Sequence, residues 1–375
     1  TMKTGKLPES ILKRSVLGKI KKRRNEVLKG AGIGGDCAFL ALKSENGKGT
    51  GQGEKTVKSG KELEAIMAVS TETVALPVKN AAYLAVMAAA NNVAVGGGRP
   101  VSVMLSVTLP EETEEAQLRE LMGEAERCCG ELGIQIAGGH TEVSSYVNCP
   151  VITATVIGAA ALGEIPVQPQ GTEGLSQKSR KADFEEAEKQ MPGIPREMSG
   201  NHKLDIVMSK WIGLEGTCIL AGEKEKELLT RYPVRLVNEA KAQEKYLSVA
   251  SEAEIALGQG VYAMHDLRYG GVFGALWELS QKTGMGFCVD LKRIPVKQET
   301  IEVCEFFGLN PYELLSGGAL LMVSEDGAGL TGALAEAGIS SVVIGSMDFG
   351  NDKIVRNGEE IRYLGRPGQD EILKI

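Results

Sequence analysis

The sequence is poor in features that mark several classes of protein. None of its seven cysteines stands in a Cys-x-x-Cys pair, and 42 lysines and arginines are outnumbered by 49 aspartates and glutamates, for a formal net charge of −7. Nucleic-acid binding depends on a basic face that neutralises phosphates, so this balance makes nucleic acid an unlikely main partner. Cysteines without pairing motifs, and without a recognisable signal peptide ahead of them, predict a reducing, cytoplasmic location.

Long uninterrupted apolar runs are scarce as well. The run from Ala81 to Val95 contains Asn91 and Asn92 and is too short to span a bilayer, so it predicts a buried helix and no membrane segment. The glycine- and lysine-rich stretch 44–60 lacks the Gly-Lys-Ser or Gly-Lys-Thr ending of a Walker loop. It predicts a mobile hairpin loop instead.

The length and the order of the patterns predict a two-domain α/β (α+β) protein. A chain of 375 residues is long for one hydrophobic core. Residues 31–160 alternate between strand and helix patterns and form the first predicted domain. Residues 161–203 lose this periodicity and predict a linker or an exposed insertion, and residues 204–375 form the second domain.

Residues 1–30 contain a basic amphipathic pattern followed by a glycine-rich turn. From Ser10 to Lys29, apolar residues recur at helical spacing with lysines and arginines between them, which predicts a helix with a solvated basic face. Contact with an anionic partner is the alternative. The turn Gly30 to Gly35 matches Gly-x-Gly-x-x-Gly, but a strand pattern follows it where a dinucleotide site needs a helix. The turn therefore serves to deliver Asp36 to the start of that strand.

Two junctions, one in each domain, combine a glycine pair with polar side chains. Glycine pairs let backbone N–H groups approach an anion closely, and helix N-termini attract anions. A glycine turn followed by solvated polar residues is the simpler interpretation of either junction alone. Their occurrence in both domains favours a ligand site, and the junctions are Ile134 to Val143 and Ala263 to Val272.

The chain resembles the aminoimidazole ribonucleotide synthetase (PurM) superfamily, and within it the HypE-like synthetase-related branch. The resemblance covers nearly everything from Gly32 onward. It rests on ordered motifs: Gly35-Asp36-Cys37-Ala38, Ser70-Thr71-Glu72, Asn91-Asn92-Val93-Ala94, Ala137 to Val143, and His265-Asp266 through Gly270-Gly271.

The resemblance implies a fold, a reaction and a set of site residues. The N-terminal domains of a homodimer would join their sheets into a barrel, with ATP in a groove between subunits. ATP would activate a carbonyl or similar oxygen of a small substrate by phosphoryl transfer, with Mg2+ on carboxylate oxygens. The implied catalytic residues are His140, Glu142 and Asp266. The implied metal ligands are Asp36 and Glu72. The implied nucleotide-binding residues are Asp36, Glu72, Asn92, Gly138, Gly139, Thr141, His265, Arg268, Gly270 and Gly271.

Three positions depart from the superfamily pattern toward positive charge. Asn92 and His140 stand where acidic residues are usual, and Arg268 stands where threonine is common. Neutral imidazole is a poor ligand for Mg2+. Either the nucleotide is held with fewer metal ions, with His140 and Arg268 as direct phosphate donors, or catalysis is lost and a nucleotide- or anion-binding homodimer remains. The sequence ends at Ile375 without the terminal cysteine on which HypE chemistry depends, so that particular reaction is not expected.

Overall fold

The computed structural model describes residues 6–7, 9–22, 24, 26–42, 65–160 and 203–375. Two sheets, one on either side of residues 161–202, carry the architecture, and the predicted α/β class is confirmed. The predicted loop at 44–60 and nearly all of the predicted linker at 161–203 lie outside the described residues.

The first sheet has six strands in the order β1-β2-β3-β6-β4-β5. Its pairs are antiparallel except β4 with β5, which run parallel. Along β6, buried residues alternate with partly exposed ones, as expected for a strand with only one face in the core. The strands are β1 (Val27–Lys29), β2 (Ala38–Leu42), β3 (Ala65–Val74), β4 (Gly98–Leu109), β5 (Gln135–Val143) and β6 (Val151–Ala160).

Two helices cover the inner face of this sheet. In α1 (Ala81–Val95) all 15 residues are buried, because the helix lies between β3, β6 and elements of the second domain. A helix that is apolar all round belongs in such a position, and its many alanines permit close packing. In α2 (Glu115–Leu132) only one stripe is buried, and a capping box between Glu114 and Gln117 begins the helix.

The second sheet has seven strands in the order β13-β12-β9-β11-β7-β10-β8. They are β7 (Leu204–Ser209), β8 (Ala263–Asp266), β9 (Gly286–Asp290), β10 (Leu320–Ser324), β11 (Ser341–Asp348), β12 (Lys353–Asn357) and β13 (Glu360–Tyr363). The helices of this domain are α3 (Leu214–Glu223), α4 (Glu225–Leu228), α5 (Val234–Lys241), α6 (Ala250–Gly258), α7 (Gly271–Thr283), α8 (Gln298–Phe307) and α9 (Gly327–Glu336). Short 3-10 turns lie at Ala242–Tyr246, Leu291–Arg293 and Glu371–Lys374.

The two domains share one apolar core and a buried amide contact. A single cluster contains α1 side chains together with Leu214, Leu220 and Leu247 of the second domain. The side chain of Asn91 donates to the carbonyl of Leu247 at 2.8 Å and accepts from the amide of Val249 at 3.0 Å. Asn91 therefore aligns α1 with the second domain, since a buried amide is stable only with its partners in place.

One predicted helix differs from the structure, and the predicted buried helix is present. The N-terminal helix over Ser10–Lys29 is wrong in its second half: helical turns span Glu9–Lys19, and Val27–Lys29 is a strand paired with β2. Helix α1 spans the predicted run Ala81–Val95, so Asn92 lies within it.

No helix among the described residues is both long enough and apolar enough to cross a membrane.

Candidate functional site

A glycine turn carries Asp36 onto helix α7 of the second domain. Gly34 adopts φ +64°, and a Cβ atom there would lie 3.1 Å from the carbonyl of Glu278 and from Cβ of Lys282. Glycine allows the turn to approach the helix this closely. The hydroxyl of Ser70 on β3 then donates to the Asp36 carbonyl at 2.9 Å and fixes the backbone.

Both carboxylate oxygens of Asp36 are bonded to cationic side chains of the second domain. His265 Nδ1 lies 2.8 Å from Oδ1, and Lys282 Nζ donates to Oδ2 at 2.5 Å. The Asp36 side chain is only 4% exposed. Burial alone would raise its pKa, but the charges of Lys282 and His265 outweigh burial and hold the pKa well below its usual range. Asp36 is therefore ionised and internally neutralised.

His265 lies between two carboxylates. Its Nε2 atom is 2.9 Å from Glu278 Oε2, while Nδ1 faces Asp36. Burial would lower the pKa of His265, but the charge of Asp36 and the two hydrogen bonds raise it to about 9. Glu278 in turn pairs with Lys6 of the N-terminal segment. Burial raises the pKa of Glu278, whereas the hydrogen bond from His265 and the charge of Lys6 bring it down to about 2. At neutral pH the histidine is an imidazolium that donates from both nitrogens.

Arg268 contacts two carboxylates, Glu72 and Glu215, in a second part of the cluster. Its Nη1 donates to Glu72 Oε2 at 2.5 Å, and its Nε lies 3.6 Å from Glu215 Oε2. The other oxygen of Glu72 accepts from Asn92 Nδ2 at 2.8 Å, and the same amide nitrogen lies 3.1 Å from the Ser70 hydroxyl. Arg268 Nε is buried without a hydrogen-bond partner among the residues that the structure describes. The residues at the three motif positions 72, 92 and 268 thus meet, although they are far apart in the sequence.

Asp266 lies between these two groups beside a small cavity. The cavity has a volume of about 10 Å³ and is lined in part by Asn91, Glu215, Asp266 and Arg268. That volume is enough for about one water molecule. Burial raises the pKa of Asp266 to about 6 despite the positive charge of His265, so Asp266 can exchange a proton near neutrality.

The N-terminus of α7 is already occupied by a carboxylate of the same chain. Gly270 and Gly271 adopt φ +81° and +58°, and a Cβ atom on Gly271 would lie 2.4 Å from the carbonyl of Tyr312. The amide of Gly270 donates to Asp370 Oδ2 at 2.6 Å. The glycine pair forms the expected turn and permits close packing. However, the amide of Gly270, which is predicted to bind a phosphate, donates to Asp370 instead.

The stretch Ile134 to Val143 differs from the expected glycine turn. Gly138 and Gly139 lie within β5, which continues through His140 to Val143. A Cβ atom on Gly139 would lie 1.8 Å from the carbonyl of Leu105 on β4, so glycine is needed for strand contact and not for a turn. His140 is exposed, 3.4 Å from Glu142, and the two point away from the protein interior.

The structure therefore brings together some of the predicted residues and separates others. Within the described residues of one chain, no hydrogen bond or ion pair joins β5 to the buried cluster. A groove of about 250 Å³ lies along β5 instead, lined by Leu105, Val107, Met122, Ile136, Gly138, Gly139, His140 and Thr141. The buried cluster contains Asp36, Glu72, Asn92, His265, Asp266 and Arg268.

Four further residues bond to this cluster or to Gly270, and sequence reasoning assigned no role to them. Glu278 and Lys282 are four residues apart on α7, which places them on one helix face, so their spacing could have indicated a shared environment. Glu215 and Asp370 carry no comparable signal, because only the folded chain brings them to Arg268 and Gly270.

The donor set does not fit the expected Mg2+ ion. Ligand atoms of Asp36, His265 and Asp266 all lie within 4.8 Å of one another, which is close enough to surround a metal. However, both oxygens of Asp36 and both of Glu72 accept bonds from protein donors. A protonated histidine offers no lone pair, and Mg2+ prefers oxygen ligands with several waters.

Comparison with known families identifies the family to which this chain belongs. The AIR synthase related protein family matches in two parts, its N-terminal domain over residues 33–160 and its C-terminal domain over residues 205–356. The chain belongs to this family, and its fold is the two-domain PurM-like fold expected from the motifs.

The similar proteins include hydrogenase maturation proteins. Carbamoyl dehydratase HypE of Rhodobacter capsulatus is 26% identical over 239 residues, which cover 64% of this chain and 60% of the relative. The alignment thus spans less than two thirds of that relative's length. The crystal structure of a HypE–HypF complex contains a chain with a TM-score of 0.66 and 16% identity, covering 96% of this chain and 100% of that one. A structure of hydrogenase maturation protein HypE in complex with ATP has a TM-score of 0.58 and 18% identity, covering 86% of this chain and 90% of that one. At these identities the structures establish the fold alone.

Proposed function

We propose that this protein binds ATP and uses it to activate a carbonyl or similar oxygen of a small molecule by phosphoryl transfer. One observation carries the proposal: motif residues from both domains, including Asp36, Glu72, Asp266 and Arg268, converge in one buried charged cluster. Family membership and the ATP complex of a HypE neighbour support the choice of nucleotide. The carbamoyl dehydratase reaction of the curated relatives is not part of the proposal.

The groove along β5 is the proposed place for the nucleotide. Its volume of about 250 Å³ is near the lower limit of small-molecule sites. Apolar side chains such as Val107 and Ile136 suit a flat base, and the glycine backbone at 138–139 allows close approach of a phosphate or ribose. Thr141 supplies a hydroxyl beside Val107, and His140, the next residue of the strand, projects from the opposite face.

A homodimer would join this groove to the buried cluster. Among the described strands, β5 pairs only with β4, and it is largely exposed along its length, so it is an edge strand there. On the outer face of this sheet edge, the apolar side chain of Met104 on β4 is 45% exposed. Exposed sheet edges and apolar faces favour association with another chain. We propose that a second copy covers this face and completes the site, in the cytoplasm.

Asp266 is the proposed proton acceptor for the attacking substrate oxygen. Its pKa of about 6 leaves it mostly ionised at neutral pH yet able to take up a proton. Arg268 is the proposed donor toward the transferred phosphoryl group, since its Nε has no hydrogen-bond partner in the described part of the chain. Phosphoryl transfer depends chiefly on positioning and on positive charge near the equatorial oxygens.

Isothermal titration of the full chain with ATP, with Mg2+ and with EDTA, tests the binding half. We expect saturable binding in at least one condition. Absence of binding in both would rule out the function. A Thr141→Val variant should weaken binding if the β5 groove holds the nucleotide, whereas Thr331→Val, at a half-buried position on α9, serves as the matched control.

A non-catalytic nucleotide- or anion-binding homodimer is the second candidate. The full engagement of Asp36 and Glu72 by protein donors favours it, because it leaves no free carboxylate oxygen there for a metal. This candidate predicts ATP binding without hydrolysis or transfer. Phosphate release by the wild type that clearly exceeds release by Asp266→Asn, at equal ATP occupancy, would reject it.

A further inference from the structure

We propose that Lys282 takes the place of a divalent cation in this protein, so that Asp36 binds no metal and nucleotide binding does not depend on one. Metal-independent nucleotide binding rests on the proposed ATP-binding function, whereas the exclusion of metal from Asp36 does not. The ammonium group of Lys282 has two partners. Nζ of Lys282 donates to Asp36 Oδ2 at 2.5 Å and to the carbonyl of Met264 at 2.7 Å.

Because Lys282 and Asp36 are buried, replacing the ammonium group beside Asp36 with a metal ion is unfavourable. The side chains of Lys282 and Asp36 are 3% and 4% exposed. A metal on Asp36 would deprive the ammonium of its carboxylate and leave it with one carbonyl in a dry site. Breaking a buried ion pair by removing one partner typically destabilises a protein by about 3–5 kcal/mol. Mg2+ also keeps several waters at about 2.0–2.1 Å, for which this enclosed position has little space.

The neighbouring carboxylate oxygens also face donors of the protein. His265 Nδ1 lies 2.8 Å from the remaining oxygen of Asp36, and its Nε2 lies 2.9 Å from Glu278 Oε2. Arg268 and the amide of Asn92 cover the two oxygens of Glu72. Lysine, arginine, imidazole and amide groups therefore occupy the carboxylates at the positions where the resemblance implies magnesium.

The position of Lys282 on α7 explains why its side chain cannot easily move away from Asp36. Lys282 lies in the last turn of α7, and Glu278 lies one turn before it on the same face. The glycine turn at Gly34 packs directly on this face, with its Cβ position 3.1 Å from Cβ of Lys282. The lysine stem is thus enclosed by the same turn that presents Asp36, and the pair forms when the two domains pack together.

Titration of the full chain with Mn2+, followed by electron paramagnetic resonance, tests the first half without any assay of activity. The wild type is expected to show no stoichiometric site at millimolar Mn2+. Lys282→Met is expected to gain one site per chain, and Lys282→Met combined with Asp36→Asn to lose it again. Lys292→Met, on the exposed surface, is the matched control and should gain none.

Two results would overturn the inference. One is a stoichiometric Mn2+ site in the wild type that Asp36→Asn removes, because Lys282 would then move aside for metal. The other is a folded Lys282→Met protein that gains no site. If Lys282→Met does not fold, the comparison of the wild type with Asp36→Asn still decides the first point.

The nucleotide half is tested by measuring ATP affinity in Mg2+ and in EDTA. We expect dissociation constants that differ by less than about tenfold. A much larger loss in EDTA would contradict metal-independent binding. Failure to bind ATP in either condition would instead refute the proposed function, while the Mn2+ titrations would still decide whether Lys282 excludes metal.

Discussion

Glu215 is a buried carboxylate whose ionisation is predicted to destabilise the folded protein above neutral pH. Its side chain is 4% exposed, and its nearest cation is Arg268 Nε at 3.6 Å. Burial raises the pKa of Glu215 to about 7 from an ordinary value of 4.5, against the opposing charge of Arg268, and nearby carboxylates add to the rise. Burial therefore outweighs the ion pair.

The sign and size of the effect follow from proton linkage. Between pH 4.5 and 7 the folded protein holds a proton on Glu215 that the unfolded chain has released. Stability consequently falls as pH rises through this window, and the full loss is present above pH 7. Each pKa unit corresponds to about 1.4 kcal/mol, so the loss is roughly 3 kcal/mol.

Glu215→Gln removes the titration while keeping the shape of the side chain. The variant should match the wild type at about pH 4 and exceed it by roughly 3 kcal/mol at about pH 8. Urea unfolding of both proteins across this range measures the difference, and subtracting the two curves removes the other titrating groups. Glu359→Gln, the same substitution at an exposed position, serves as the matched control variant.

A Glu215→Gln protein that is less stable than the wild type at about pH 8 would refute this reasoning. Such a result would mean that attraction to Arg268 exceeds the free energy lost by burying the charge. A difference that does not change with pH would also contradict it, because the effect would then come from packing and not from ionisation.

Three further predictions concern stability. His265, whose pKa is raised to about 9, should contribute stability that is fully present below pH 6.5 and lost as pH rises through 9, and His265→Gln should abolish this alkaline slope in urea unfolding. Gly139→Ala should lower the free energy of unfolding by at least about 2 kcal/mol through a clash with β4, whereas Gly123→Ala, with open space on α2, should be neutral or stabilising. Lys210 donates to three backbone carbonyls and pairs with Glu252 at 2.6 Å. Lys210→Met should therefore destabilise by about 3–5 kcal/mol, and adding Glu252→Gln should recover part of that loss; an additive double variant would exclude the coupling.

Local sequence patterns predicted an element correctly where its own residues determine which of its faces is buried. The apolar run of α1 led to the correct element type, because the whole helix is buried there. The N-terminal pattern misled, since Val27–Lys29 fits a helical stripe equally well. Pairing with β2 makes it a strand, and that partner is non-local.

Motif resemblance grouped Asp36, Glu72 and Asp266, and the structure brings these three residues into one buried cluster. Their roles in the site stay predictions. The resemblance also grouped His140 with them, and within one chain that residue lies on an exposed edge strand. Strand register decides this outcome, and a glycine pair is compatible with both a turn and a close strand contact.

By itself, the sequence determined the α/β class, the family and the identity of most charged residues in the cluster, since these depend on local periodicity and on motif order. Only the tertiary structure determined which charged side chains are in contact. Lys282 reaches Asp36, and Arg268 reaches Glu72 and Glu215, across large separations in sequence. Ion pairing and burial depend on distances that exist only after both domains have packed around α1, and those distances turn an expected metal site into a neutralised cluster.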